Sequence, residues 1–373
     1  MRNRSYLMPV LGILLAGLVS CNKQAVQGNE EPFEAGMATL NVQIGAPQTK
    51  VGDQAATNES KIQNVQVFVF RAGDGGDRGN LEIAVSKGFE VNGELNADPP
   101  YTGITVKSST GSREIWVVVN DSEDRTAGAG AVSTKEDFLR LTHDLQFSSS
   151  TKLLMIGHSG TDTDPSITLT EGTNSFSVQV KRYAASVILE SVKNDFASPA
   201  YQKSGVFRVE NAYLLNVPGR INFGHTSDPA AYGIEYWYAK RTAETDAQKK
   251  ALIYDTMGAT VVEYGQSYSK KHTFYTYPNP CAASEAVTGD FSPRATLLVV
   301  EASIRNSAGN WQLYYYPVLL STNPLESNKQ YRVNLTIHRP GSLDPNIPVK
   351  FADMTSDITV GPWEAGDSYT PEV

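Results

Sequence analysis

Cysteine is nearly missing from this 373-residue chain: only Cys21 and Cys281 occur. With Cys21 placed in a processing signal, as argued below, no intramolecular disulfide remains. Stability must then come from packed apolar cores. The five histidines, His143, His158, His225, His272 and His338, stand apart from one another. There is no His-Glu-x-x-His and no cysteine pair, so the usual zinc spacings are excluded. Lysine and arginine gather nowhere into a basic stretch, and the net charge is −8. Nucleic acid is therefore disfavoured as a partner. Long apolar runs are also lacking, apart from one: Tyr6 to Val19 is apolar except for two glycines and Pro9. A membrane-spanning helix needs about 20 such residues, so this run is too short to span.

That run is informative. Arg2 and Arg4 precede it, and Leu18-Val19-Ser20-Cys21 closes it with small residues before a cysteine. The pattern predicts a cleaved lipoprotein signal over residues 1–20, with the mature chain beginning at an acylated Cys21. An ordinary secretory peptide with an incidental cysteine is the alternative. More than one acyl chain would anchor the protein stably, since each buried methylene contributes about 0.8 kcal/mol.

About 350 residues remain beyond the signal, enough for two domains. Short runs rich in Val, Ile, Tyr and Thr alternate apolar with polar residues between Gly, Pro, Asn, Asp and Ser clusters, which predicts an all-β chain. In Ala38 to Ile44, the residues Ala38, Leu40, Val42 and Ile44 share one face. Further strands are predicted at 64–71, 113–120, 175–181 and 184–191, then at 205–217, 233–241, 271–277, 295–304, 310–320 and 329–338. A short helix is predicted after the cap Thr134, and a helix-prone stretch at 242–257. A domain boundary falls near Tyr183, dividing 51–183 from 184–373. After Pro345 and Pro348 the chain ends in an extended segment, about 351–373, where Met354, Ser356, Ile358 and Val360 share a face and Trp363 follows.

Chemistry-bearing motifs are weak. Gly73 to Gly79 lacks the third glycine of a dinucleotide loop. Gly157-His158-Ser159-Gly160 lacks the spacing of a nucleophile elbow. Asp162 and Asp164 lack further calcium ligands. No enzyme, cofactor or metal site is expected. Tyr232, Tyr236, Trp237 and Tyr238 fit either a sugar-stacking platform or, as alternating strand aromatics, core and rim.

Several ordered passages carry a resemblance. Gly36-Met37-Ala38-Thr39-Leu40 opens the first strand behind the lipobox, and Glu59-Ser60-Lys61-Ile62 leads into Val65 to Phe70. Arg113 to Asn120, Val178 to Ala185, Tyr314 to Val318 and Asn328 to Ile337 follow in order. Together they resemble the FimA-type fimbrillins, the major-subunit family of Bacteroidales type V pili. The resemblance implies two tandem transthyretin-like, immunoglobulin-like β-sandwich domains with a C-terminal extended donor segment. It also implies a structural subunit exported as a lipoprotein to the outer membrane, then cut by a trypsin-like protease in the loop after the first strand. The released piece, residues 21–50, takes the first strand with it, and a neighbour's C-terminal segment replaces that strand. Other copies, further fimbrial subunits and a host protein or glycan are the implied partners.

In this chain the cut is expected between Lys50 and Val51, where the family more often has arginine; a merely solvated loop lysine is the alternative. Arg71 and Lys61 flank a core strand and are expected to be poorer sites. Losing Leu40, Val42 and Ile44 would vacate three aliphatic positions, each contributing about 1.5–3 kcal/mol when buried. Met354, Ile358, Val360 and Trp363 are the expected donor residues, or else an ordinary terminal strand of their own domain. A stalk subunit is the favoured role; an anchor or accessory fimbrial lipoprotein and a non-polymerising glycan-binding lipoprotein are the rivals.

Overall fold

Strict alternation becomes burial in β1 (Met37–Gly45), where Ala38, Leu40, Val42 and Ile44 are at most 1% exposed while Asn41 and Gln43 face water. The computed structural model describes residues 36–46, 59–73, 76–90, 93–128, 131–225, 233–281, 294–320, 324–347, 349 and 353–363, all within the unit Gly36–Val373. The first half continues with β2 (Val65–Arg71), β3 (Leu81–Lys87), β4 (Tyr101–Ser109), β5 (Gly111–Val119), β6 (Thr142–Asp144), β7 (Met155–His158), β8 (Ser166–Leu169), β9 (Gly172–Gln179) and β10 (Lys181–Arg182).

These strands build two facing sheets, β4-β1-β9 and β10-β7-β5-β2-β3, with β8 also paired to β5. Val65, Val67 and Val69 of β2 and Ile115, Val117 and Val119 of β5 meet the apolar face of β1 in one core. Phe68, Phe70 and Val118 point the other way, into a second core that continues through the rest of the chain. Burial of both faces explains why β2 carries apolar residues at consecutive positions from Val67 to Phe70, with Gln66 as its one buried polar side chain.

The second half contains β11 (Ala185–Asn194), β12 (Phe207–Leu215), β13 (Val217–Pro218), β14 (Arg220–Asn222), β15 (Trp237–Tyr238), β16 (Tyr254–Val261), β17 (Ser267–Tyr268), β18 (His272–Thr276), β19 (Leu297–Arg305), β20 (Trp311–Leu319), β21 (Lys329–Ile337) and β22 (Met354–Pro362). One sheet runs β17-β11-β21-β22, with β18 also on β11, and the other runs β16-β12-β19-β20. The topology repeats itself. β1 is antiparallel to β4 and parallel to β9, and β11 is antiparallel to β18 and parallel to β21. The opening strand of each half therefore lies between an antiparallel partner and a parallel one from the end of that half. The halves are joined by the β6–β14 ladder, by the paired Arg220 and Asp144 side chains, and by the Tyr183 hydroxyl donating to the Phe223 carbonyl.

Several expectations change in detail. The helix Lys135–Arg140 forms with Thr134 as its cap, accepting from the Asp137 N–H, and it buries Phe138. Residues 233–241 are not one strand: a 3-10 turn, Ile234–Tyr236, precedes the two-residue β15. In 242–257 only Ala247–Lys250 is helical, capped by Asp246, and β16 starts at Tyr254 because its backbone pairs with β12. Strands β3 and β4 add to those predicted; β4 is the antiparallel partner of β1.

Candidate functional site

The site begins with the position of β1. Its register runs Ala38↔Ser108 to Val42↔Ile104 on β4 and Ala38↔Gly172 to Gly45↔Gln179 on β9. Among the described strands, β4 and β9 are joined only through β1. Withdrawing β1 would leave two unpaired strand edges facing each other across a slot floored by the apolar faces of β2 and β5. Leu40, Val42 and Ile44, the residues expected to leave, fill that slot. Cys21, Lys50 and Val51 lie outside the described residues.

Residues 354–362, the described part of the expected donor segment that forms a strand, lie at a sheet edge in the second half. β22 pairs antiparallel with β21 from Lys329↔Pro362 to Ile337↔Met354, so the expected donor segment is here the last strand of its own sheet. Its burial is uneven. Met354 and Trp363 at the two ends are 8% and 2% exposed, Ile358 is half-buried, Ser356 is exposed, and Val360 is 42% exposed.

Trp363 ends in a buried polar cluster that no local sequence pattern announced. The Glu59 carboxylate accepts from the Tyr275 hydroxyl at 2.5 Å and from the Trp363 indole N–H at 3.0 Å. The Arg182 guanidinium donates to the Trp363 carbonyl at 2.8 Å, to Ser60 Oγ at 2.8 Å and to the Glu59 carbonyl at 3.3 Å. Its central carbon lies 4.6 Å from the Trp363 ring, and the Tyr275 ring stacks on the same indole at 5.8 Å. Arg182 is wholly buried, and Glu59, Tyr275 and Trp363 are each at most 5% exposed. Burial first, and then the Glu59 charge, push the Tyr275 hydroxyl far above the ordinary tyrosine range, so it stays a donor. Glu59-Ser60, the Lys181-Arg182 pair within Val178 to Ala185, and Trp363 each stand out in the sequence, but nothing there brings them together.

Other candidates dissolve into structure. Trp237 and Tyr238 are at most 2% exposed and Tyr236 lies beneath the Arg220 guanidinium, so these described aromatics form no open platform. Among the described residues no three His, Cys, Asp or Glu side chains gather as metal ligands. Arg71 is exposed at the end of β2 and Lys61 pairs with Asp98, both beside a fully laddered strand.

Residues 38–190 match a family model described as major fimbrial subunit protein (FimA). Aligned over 408 residues, the chain is 23% identical to the major fimbrium subunit FimA type-2 of Porphyromonas gingivalis, covering 95% of this chain and 96% of that one. The fold is shared with a cell adhesion protein of Parabacteroides distasonis, described as putative, at a TM-score of 0.59 and 17% identity, covering 89% of this chain and 100% of that one. A FimA fimbrilin of Porphyromonas gingivalis W83 superposes at a TM-score of 0.55 and 15% identity, covering 90% and 99%. The resemblance read from the sequence is borne out, as is the all-β sandwich fold.

Proposed function

We propose that this FimA homologue is a structural stalk subunit of a cell-surface fimbrium. It is exported as a lipoprotein acylated at Cys21, cut between Lys50 and Val51, and polymerised when a neighbour's C-terminal strand takes the place of β1. The outer membrane holds the precursor, and the assembled fibre supports adhesion.

The contrast between β1 and β22 carries this reading. β1 is the only ladder link between β4 and β9 among the described strands and buries four apolar side chains, whereas β22 occupies an edge where Ile358 is half-covered and Val360 is 42% exposed. Moving β22 into a vacated β1 slot would bury apolar surface that its own domain leaves wet, at about 25 cal/mol per Å². It would also restore hydrogen bonds to two open strand edges instead of one. Burial of Trp237 and Tyr238 takes two of the four aromatics that favoured a glycan-binding lipoprotein out of a ligand's reach; Tyr232 lies outside the described residues.

N-terminal sequencing of protein recovered from the cell surface tests the cut, with Val51 as the expected first residue. Lys50→Ala should accumulate a lipidated precursor that does not polymerise, and normal fibres from that variant would refute the assigned cleavage. Cys21→Ala should leave unprocessed precursor in the inner membrane or periplasm; wild-type amounts at the surface would overturn the lipid anchor.

A further inference from the structure

We infer that the Glu59–Arg182–Tyr275–Trp363 cluster is a latch: it keeps the C-terminal strand on its own sheet while β1 is seated and lets it go once β1 is lost. The inference rests on the donor-strand reading above and adds to it a means of ordering the two events within one subunit.

Four distant parts of the chain meet in the cluster. Glu59 and Ser60 open the described stretch 59–73, ahead of β2. Arg182 belongs to β10, between the halves; Tyr275 is in β18; Trp363 directly follows β22. Trp363 is also the strongest anchor of β22, because between it and Met354 the strand has no fully buried side chain. Its main chain is held at both polar groups: the N–H donates to the Asn328 carbonyl at 2.9 Å, and the carbonyl accepts from Arg182.

Two connections lead from β1 to this anchor. The first runs through β9, whose only ladder partner among the described strands is β1. Beyond the end of that ladder, the Val180 N–H donates to the Gly45 carbonyl at 2.8 Å, two residues before Arg182. Gly157 of β7 packs so closely on this turn that an added Cβ would lie 2.3 Å from the Gln179 carbonyl, so the turn into β10 is wedged between β7 on one side and the Gly45 end of β1 on the other. The second connection is covalent. A cut after Lys50 makes Glu59 the ninth residue of the new chain and removes its covalent link to β1.

A buried charged group with several donors and acceptors holds together or fails together, since removing one partner strands the others without water. Such a cluster therefore has two discrete states. With β1 in place, Arg182 is held from the β7 side by its own ladder and from the β1 side through Val180, and Trp363 is gripped; without β1 only the short β7 pairing remains to position the guanidinium, and β22 retains mainly its single ladder to β21.

Hydrogen exchange on the full-length monomer tests the latch. Arg182→Lys and Trp363→Phe should each speed exchange of the β22 amides at least tenfold, while amides of β12 and β19 keep wild-type protection. Val42→Asp, which unseats β1 without touching the cluster, should do the same; if that chain does not fold, Val42→Ala should give a smaller acceleration in the same strand. Unchanged β22 exchange when the β1 and β9 amides are visibly opened would overturn the latch. Equal acceleration across β12, β19 and β22 would also overturn it, marking the cluster as a general structural support. The readout is separate from assembly. Loosened β22 without subunit cross-links would leave the latch and remove the donor-strand reading, whereas cross-links with an unresponsive β22 would do the reverse.

Discussion

The indole N–H of Trp363 donates to the Glu59 carboxylate at 3.0 Å across 304 positions of sequence, tying the segment ahead of β2 to the residue after β22. Because Glu59 is buried, this bond matters more for what its loss exposes than for its own strength. Trp363→Phe keeps most of the apolar packing and should cost about 1–3 kcal/mol by leaving the carboxylate short of a donor. Trp363→Ala should cost about 3–5 kcal/mol, adding a cavity against Tyr275 and Arg182. Urea midpoints at unchanged m-value measure both; a neutral Phe variant would show that the bond is not needed.

Neighbouring positions in β1 should behave oppositely. Leu40→Ala removes a side chain with no exposed surface and should destabilise the precursor by about 2–5 kcal/mol. Gln43→Glu, on the exposed face, should change stability by no more than about 0.5 kcal/mol. Similar losses at both positions would mean that β1 is not seated with the alternation described.

The β1 face was legible because one-sided burial writes itself as a period of two; β2 was legible as a strand from its Val and Phe residues, but not its burial on both faces, which needs the second core to be known. The Thr134 cap was legible because capping is local chemistry. β4 was not legible, since Gly103 and the prolines before Tyr101 disguise the alternation of Ile104, Val106 and Ser108. Trp237 and Tyr238 were ambiguous because strand aromatics look the same on either face until the opposing sheet is known. The cluster around Arg182 could not be read at all: its members become neighbours only after both sandwiches have formed, and no spacing rule links them.

His143 should make the protein sensitive to mild acid. Its ring is fully buried beside the Tyr277 hydroxyl at 2.7 Å, and burial, opposed by Asp121 and Asp144, lowers its pKa to about 4. The unfolded chain takes up a proton near pH 6.5, the folded one only near 4, so the unfolded state binds more protons in between. Stability should therefore fall as pH drops from about 6.5 to 4, by about 3 kcal/mol from this group. His143→Gln should flatten the dependence of Tm on pH across that window. An unchanged slope would assign the acid sensitivity to other groups.

Donor-strand exchange makes the sharpest geometric prediction. Paired strand residues have Cα atoms about 4.5–5.5 Å apart, within the roughly 4.4–6.8 Å that a disulfide spans, so a cross-link reports strand pairing. In a Cys281→Ser background, Val360→Cys combined in turn with Ile104→Cys, Val106→Cys and Val178→Cys samples the two edges that flank β1. After the loop is cut, at least one combination should cross-link between subunits. Before the cut, Val360→Cys should instead link within its own chain to Tyr331→Cys, its register partner on β21. A chain lacking 351–373 should fold and be cut, yet fail to extend the fibre through its own strand. Polar replacement of Ile358 should act in the same direction, because an unpaired polar group in the apolar slot costs about 1–3 kcal/mol. Wild-type fibres from the truncated chain, or cross-links to Tyr331→Cys alone after cleavage, would leave β22 as the edge strand of its own sheet and nothing more.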